Sequence, residues 1–283
     1  MKKKIIIVVI FIILLIALAI ILIVNQNSSL DNRENNANSD NESAGTVQNS
    51  TKQKDDFQID LVYNIDGRDI HYSAYIPENI NELDSVNLFI TLPGWEGLYF
   101  QGVGVNLEYE DFAFTARDIN PNMIILAPQL DDWQEQSALD TVALTKYYQE
   151  NYNIDKTYIE GYSGGVETLS LVLDDNADLY DGALMVSSQW DGGYEDVVNS
   201  RVPLYFFIGE DDDYYGSGNF KETYQKLHDL YIDEGLSDDE IDNILVLDVR
   251  DADYFEEHGF SSQHAGGGNV AHEEDIMRWL LTK

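Results

Sequence analysis

No cysteine occurs among the 283 residues. That absence removes disulfides, thiolate nucleophiles and cysteine-ligated zinc together, so stability must come from packing or from bound ions. Cationic side chains are scarce too, with 16 Lys and Arg against 52 Asp and Glu and a formal charge of −36. Three of the sixteen are Lys2, Lys3 and Lys4, so the chain beyond residue 24 carries −39. A surface of that sign repels nucleic acid and anionic lipid, and its plainest effect is to keep an exposed protein soluble.

One apolar run stands out. Ile5 to Val24 is 20 residues without a polar side chain, the length a helix needs to cross the hydrocarbon core, and the three lysines before it belong on the cytoplasmic side. A cleaved signal peptide is the competing reading. Its apolar region is usually shorter, about 7–15 residues, and ends at a small-residue site. Ala17 and Ala19 offer such a site, but Ile20 to Val24 follow where polar residues would be expected. The expectation is therefore an uncleaved single-pass anchor over residues 1–24, with the remainder extracytoplasmic, and secretion after cleavage as the alternative. Residues 25–56 contain only Leu30, Ala37, Ala44 and Val47 as apolar side chains, too few to offset chain entropy, and read as a disordered Asn/Ser/Asp-rich linker. Residues 57–283 remain for one globular domain.

Within that domain the hydrophobic period changes. Phe57 to Ile65 and Ile70 to Ile76 alternate around Asp66-Gly67, predicting an antiparallel hairpin. Short apolar runs then recur at Val86 to Leu92, Met123 to Ala127, Thr157 to Glu160, Ala183 to Ser187, Leu204 to Ile208 and Leu245 to Val249, the length of buried parallel strands. Helical stretches lie between them. Gln134 to Tyr152 is the clearest, with Leu139, Val142, Ala143 and Tyr147 on one face; others are Val166 to Leu173, Phe220 to Asp233 and Val270 to Leu281. The pattern predicts an α/β fold: a mostly parallel sheet with an N-terminal antiparallel hairpin and helices on both faces.

Gly161-Tyr162-Ser163-Gly164-Gly165 joins a predicted strand to a predicted helix. A GxSxG in that position reads as a turn that strains the serine and lifts its hydroxyl above the sheet, making Ser163 the candidate nucleophile. The Val86 strand runs into Pro93-Gly94-Trp95, and the backbone amides of Trp95 and Gly164 are the candidate donors to an oxyanion. The other reading of Trp95 is a core-packing aromatic. After the Leu204 strand, Gly209-Glu210-Asp211-Asp212-Asp213 puts carboxylates where a histidine partner would sit. Asp212 is preferred, with Asp211 and Asp213 as alternatives. Asp211, Asp213, Gly216, Asn219 and Glu222 also match the spacing of a calcium loop, but a strand precedes them and position five is Tyr215, so no metal is expected. Of the five histidines, His258, His264 and His272 follow the last strand. His264, in a glycine-rich segment, is the preferred base; His272, expected in the first turn of the last helix, is the alternative, and His258 comes third.

The order Ser163, Asp212, His264 is the nucleophile, acid, base order of the α/β-hydrolases. From about residue 57 onward the chain resembles that superfamily, nearest its esterase and prolyl-oligopeptidase-like branches. The resemblance implies acyl transfer to water without metal or organic cofactor, on a small-molecule ester or acyl substrate. A serine peptidase of the prolyl-oligopeptidase-like type and a catalytically silent cell-surface binding module are the alternatives. Pro93-Gly94 stands where that family often has His-Gly before the oxyanion donor.

Overall fold

The computed structural model describes residues 56–283. The anchor expected at residues 1–24 lies outside them, as does the linker expected at 25–56 apart from Asp56. Among the described residues no helix is long and apolar enough to cross a membrane.

Strand β1 (Gln58–Ile65) pairs antiparallel with β2 (Arg68–Tyr75). Asp66 and Gly67 turn between them at φ 52° and 81°, the two left-handed positions that a two-residue type I′ hairpin requires. The continuous apolar runs form β3 (Val86–Leu92), β4 (Met123–Pro128), β5 (Ile154–Tyr162), β6 (Gly182–Val186), β7 (Leu204–Gly209) and β8 (Leu245–Arg250). One sheet results, in the order β1-β2-β4-β3-β5-β6-β7-β8. β2 meets β4 antiparallel, and the later pairs are parallel.

Helices α1 (Asn106–Tyr109) and α2 (Phe112–Ile119) follow β3, α3 (Glu135–Asn151) follows β4, α4 (Gly164–Asn176) follows β5 and α5 (Glu195–Ser200) follows β6. After β7 come α6 (Gly218–Asp233) and α7 (Asp238–Asp242); after β8 come α8 (Ala252–Glu257), α9 (Gln263–Gly266) and α10 (Glu274–Leu281). The two-residue period of the strands divides their side chains between two cores. Leu88, Ile90 and Leu92 join Val142, Leu169 and Phe220 on one face. Phe89 joins Phe112, Val270 and Met277 on the other. Both faces are therefore covered, as a parallel sheet demands.

Two helices depart from the sequence reading. Helix α3 occupies the expected segment but is turned: Leu139 and Tyr147 are 52% and 37% exposed. Its buried side carries Ser137, Ala138, Thr141, Val142, Leu144, Thr145 and Tyr148. The hydroxyls of Thr141 and Thr145 donate back to the carbonyls of Ser137 and Thr141 at 2.8 and 2.9 Å, which cancels most of the cost of burying them. Apolarity alone finds the buried Val142 but adds Leu139 and Tyr147, which face outward. The expected helix from Val270 to Leu281 is in fact a 3₁₀ segment, Gly267–His272, followed by α10. His272 closes the 3₁₀ segment and lies ahead of the α-helix.

One ionisable group is sealed in the sheet: Glu160, on β5, is fully buried. Burial raises its pKa well above the ordinary 4.5, Glu110 adds to the effect, and a 2.7 Å hydrogen bond from Thr91 Oγ1 opposes it. The folded protein thus keeps a proton that the unfolded chain releases above that value, so stability falls as pH rises from there toward the folded pKa. Glu160→Gln should lack this slope. Its melting temperature relative to the parent is expected to climb between about pH 5 and 8; a difference independent of pH would contradict the neutral carboxyl.

Candidate active site

The loops leaving β3, β5, β7 and β8 all emerge at the C-terminal edge of the parallel strands, and β3 lies where successive connections run to opposite sides. Open α/β sheets place their ligand crevices at such a point. Ser163 follows β5 directly, with φ 52° and ψ −126°, a conformation that costs a non-glycine residue about 1–3 kcal/mol. Neighbouring groups hold it there. Its amide donates to the carbonyl of Val186 on β6 at 2.9 Å, and its carbonyl accepts from Val166 in α4 at 3.0 Å. The turn can close because Gly165 lies against the carbonyls of Leu92 and Pro93, where a Cβ would collide.

Ser163 Oγ lies 3.0 Å from His264 Nε2. His264 Nδ1 in turn lies 3.1 Å from Asp212 Oδ2. The Asp212 side chain is fully enclosed, and the imidazole is 19% exposed. The other carboxylate oxygen, Oδ1, accepts the amides of Tyr214 and Tyr215 at 3.0 and 2.8 Å. Burial by itself would raise the pKa of Asp212. The hydrogen bond to His264 and those from the two amides outweigh it and hold the carboxyl below the usual aspartate range.

Asp213 enters differently. Its carboxylate accepts the His264 amide at 3.0 Å and the Ser262 hydroxyl at 2.9 Å, which lowers its pKa. It fixes the backbone that carries the imidazole and makes no contact in the Ser163–His264–Asp212 chain. Asp211 contributes its amide, which donates to Gln263 Oε1 at 2.8 Å. His272 Nε2 lies 3.2 Å from Asp111 Oδ2 and stays outside the chain, while His258 binds the carbonyl of Tyr254 at 2.7 Å. Asn219 Oδ1, one of the calcium-spacing positions, accepts the amide of Trp190. Among the described residues no group of three or more His, Asp or Glu is arranged to hold a metal.

Gly164 opens α4 and Trp95 opens the 3₁₀ turn Trp95–Gly97, so both amides are of the kind that a helix start leaves without an intrahelical acceptor. Gly94 brings the second loop close: a Cβ on it would stand 3.3 Å from Ser163 Cβ. The Trp95 ring does not pack on the core. It is 52% exposed and lies against Phe100 and Trp133.

Ser163 itself is only 8% exposed, less open than a serine lifted above the sheet would be. The Tyr215 hydroxyl, which donates to Glu167 Oε1 at 2.7 Å, stands beside the hydroxyls of Ser163 and Ser188. Tyr162 donates to the His264 carbonyl at 2.9 Å and stacks on its ring. Trp133 fills the space where a Cβ on Gly164 would go. The sequence carries no signal for Glu167 or Trp133, whereas Tyr162 stands inside GxSxG and the Tyr214-Tyr215 pair is of the aromatic kind that lines a substrate groove. A cavity of about 300 Å³ opens alongside Tyr162 and Ala265, with Glu96, Tyr109, Phe260 and His272 in its wall.

No family model matches the chain, and no curated protein sequence matches it. Solved structures do. The fold is similar to that of a thermostable esterase, at a TM-score of 0.66 and 19% identity over 81% of this chain and 63% of that one. An esterase of Pyrococcus furiosus gives 0.55 and 15% over 84% and 97%. Oligopeptidase B of Leishmania major gives 0.54 and 12% over 80% and 36%. The chain therefore spans less than two thirds of the thermostable esterase and about a third of the oligopeptidase. Its fold is the α/β-hydrolase fold.

Reactivity toward a fluorophosphonate reads the hydrogen-bonded chain directly. Asp212→Asn should slow labelling of Ser163 by at least about 100-fold, because the imidazole loses its orienting carboxylate. Asp213→Asn and His272→Ala should stay within about fivefold of the parent. Equal losses for Asp212→Asn and Asp213→Asn would overturn the division of roles between the two carboxylates.

Proposed function

We propose that this protein is a serine hydrolase that cleaves small-molecule carboxylic esters through an acyl-enzyme. The carrying observation is the 3.0 Å approach of Ser163 Oγ to His264 Nε2, backed by the Asp212 carboxylate. In the resting site Ser163 Oγ–H donates to Nε2 and His264 Nδ1–H donates to Asp212 Oδ2. As Ser163 attacks the ester carbonyl its proton passes to Nε2, and the buried carboxylate stabilises the imidazolium that forms. The amides of Trp95 and Gly164 receive the negative charge on the carbonyl oxygen, each contributing about 3 kcal/mol. His264 returns the proton to the leaving alcohol. Water, deprotonated by the same imidazole, then attacks the acyl carbon, and the acid is released as Ser163 Oγ takes that proton back from His264.

The esterases of similar fold favour an ester over an amide substrate. The low exposure of Ser163, hemmed by Gly94, Tyr215 and His264, favours short acyl groups. The reading also includes a tether: the 20-residue apolar run behind Lys2, Lys3 and Lys4 anchors the chain in the cell membrane, and residues 25–56 carry the hydrolase outside it.

The full chain should hydrolyse p-nitrophenyl acetate or butyrate, and Ser163→Ala should lower kcat by at least about 10³-fold with the melting temperature unchanged. Undiminished turnover would remove the assignment. Expressed in a bacterium, the full chain should sediment with membranes after alkaline wash and become soluble when residues 1–24 are deleted; a soluble full chain would exclude the tether.

A further inference from the structure

Two buried carboxyl groups under the site have no part in the proton transfers above. Both bind the segment that runs from the end of β3 into Trp95. At one end, Thr91 Oγ1 donates to Glu160 Oε2 at 2.7 Å. At the other, the Gly94 amide donates to Glu110 Oε1 at 2.8 Å. Glu160 stands on β5 three residues before Ser163, which follows that strand, and Glu110 follows α1. A small cavity of about 10 Å³ lies between the loop and α1, walled by Thr91, Pro93, Asn106 and Glu110. Glu160 Oε1 and Asn106 Oδ1 are buried without a hydrogen-bond partner.

The geometry leaves little freedom. Gly94 is the residue whose Cβ position falls 3.3 Å from Ser163 Cβ and 3.5 Å from Glu110 Oε1. Its amide is spent on Glu110, which leaves the next one along the chain, that of Trp95, as this segment's candidate donor. A carboxylate acceptor makes a stronger, shorter bond to an amide than a neutral group does. Burial, and after it the neighbouring Glu110, raises the Glu160 pKa well above 4.5.

We propose that Glu110 and Glu160 are positioning residues for acyl transfer: by holding Gly94 and Thr91 they aim the Trp95 amide at the oxygen that becomes the oxyanion. This rests on the hydrolase reading of Ser163. The pair acts on the transition state, because the carbonyl oxygen needs the donor most when it carries charge. Substrate binding should be little affected.

The test measures kcat and KM for p-nitrophenyl butyrate on the full chain, with amide hydrogen exchange of residues 93–98 read in parallel by mass spectrometry. Glu110→Ala should lower kcat by about 10- to 100-fold with KM within about twofold, the signature of a misplaced donor. Glu110→Gln, whose carboxamide oxygen can still accept the Gly94 amide, should recover to within about threefold of the parent. Exchange over residues 93–98 should quicken in Glu110→Ala and not in Glu110→Gln. If Glu110→Ala fails to fold, Glu110→Asp replaces it, since a side chain one methylene shorter withdraws from Gly94. The inference is overturned if the alanine or aspartate variant keeps kcat within twofold, or if the glutamine variant is as slow as it. Should the parent hydrolyse no ester, the hydrolase reading falls instead, and exchange over residues 93–98 still decides whether Glu110 holds the loop.

Discussion

The site depends on a single backbone conformation, the left-handed turn of Ser163 at φ 52°. That conformation is unfavourable in isolation, so the sheet and helix on either side must over-determine it. They do so through the Ser163 amide on β6 and its carbonyl at the start of α4. Once the turn is fixed, the Gly164 amide is left at the head of a helix and Gly94 comes within van der Waals reach of the Ser163 side chain. The rest of the site is assembled against that point.

A chain with so few cations solves the problem of its site carboxylates without them. Asp212 is held ionised by two backbone amides and an imidazole, and Asp213 by an amide and a hydroxyl. Burial, and after it the neighbouring Glu110, pushes the Glu160 pKa well above the ordinary range. Amides have a practical advantage here: they belong to the loop itself, so the same bonds that stabilise Asp212 also shape the Tyr214–Tyr215 turn over the imidazole. Charge and geometry are therefore set together.

The architecture was legible because its signals are periodic. The Asp66-Gly67 turn and the six apolar runs follow from the two-residue alternation and from strand length, and the eight-stranded sheet follows from their order. The strained turn at Ser163 was legible because a glycine-framed serine between strand and helix has few structural meanings. What escaped had no local signature. The buried face of α3 mixes apolar side chains with Thr141 and Thr145, which bond back to their own helix, so hydrophobicity finds Val142 but also picks the exposed Leu139 and Tyr147. Trp133 reaches Gly164 from a loop about 30 residues away in sequence, and Glu167 joins the site only through the Tyr215 hydroxyl, contacts that tertiary packing alone makes. The adjacent carboxylates of the Asp211–Asp213 run could not be ranked by spacing. Their different roles depend on which way each side chain leaves the turn.

An acyl group caught on the nucleophile would test the central claim most directly. The full chain is mixed with p-nitrophenyl acetate, quenched in acid within the first turnovers, and its peptides are weighed. The account predicts an acetyl group on Ser163 that disappears as substrate is exhausted. Release of nitrophenol with Ser163 never acetylated, or acetyl carried by another residue at the same rate, would contradict it.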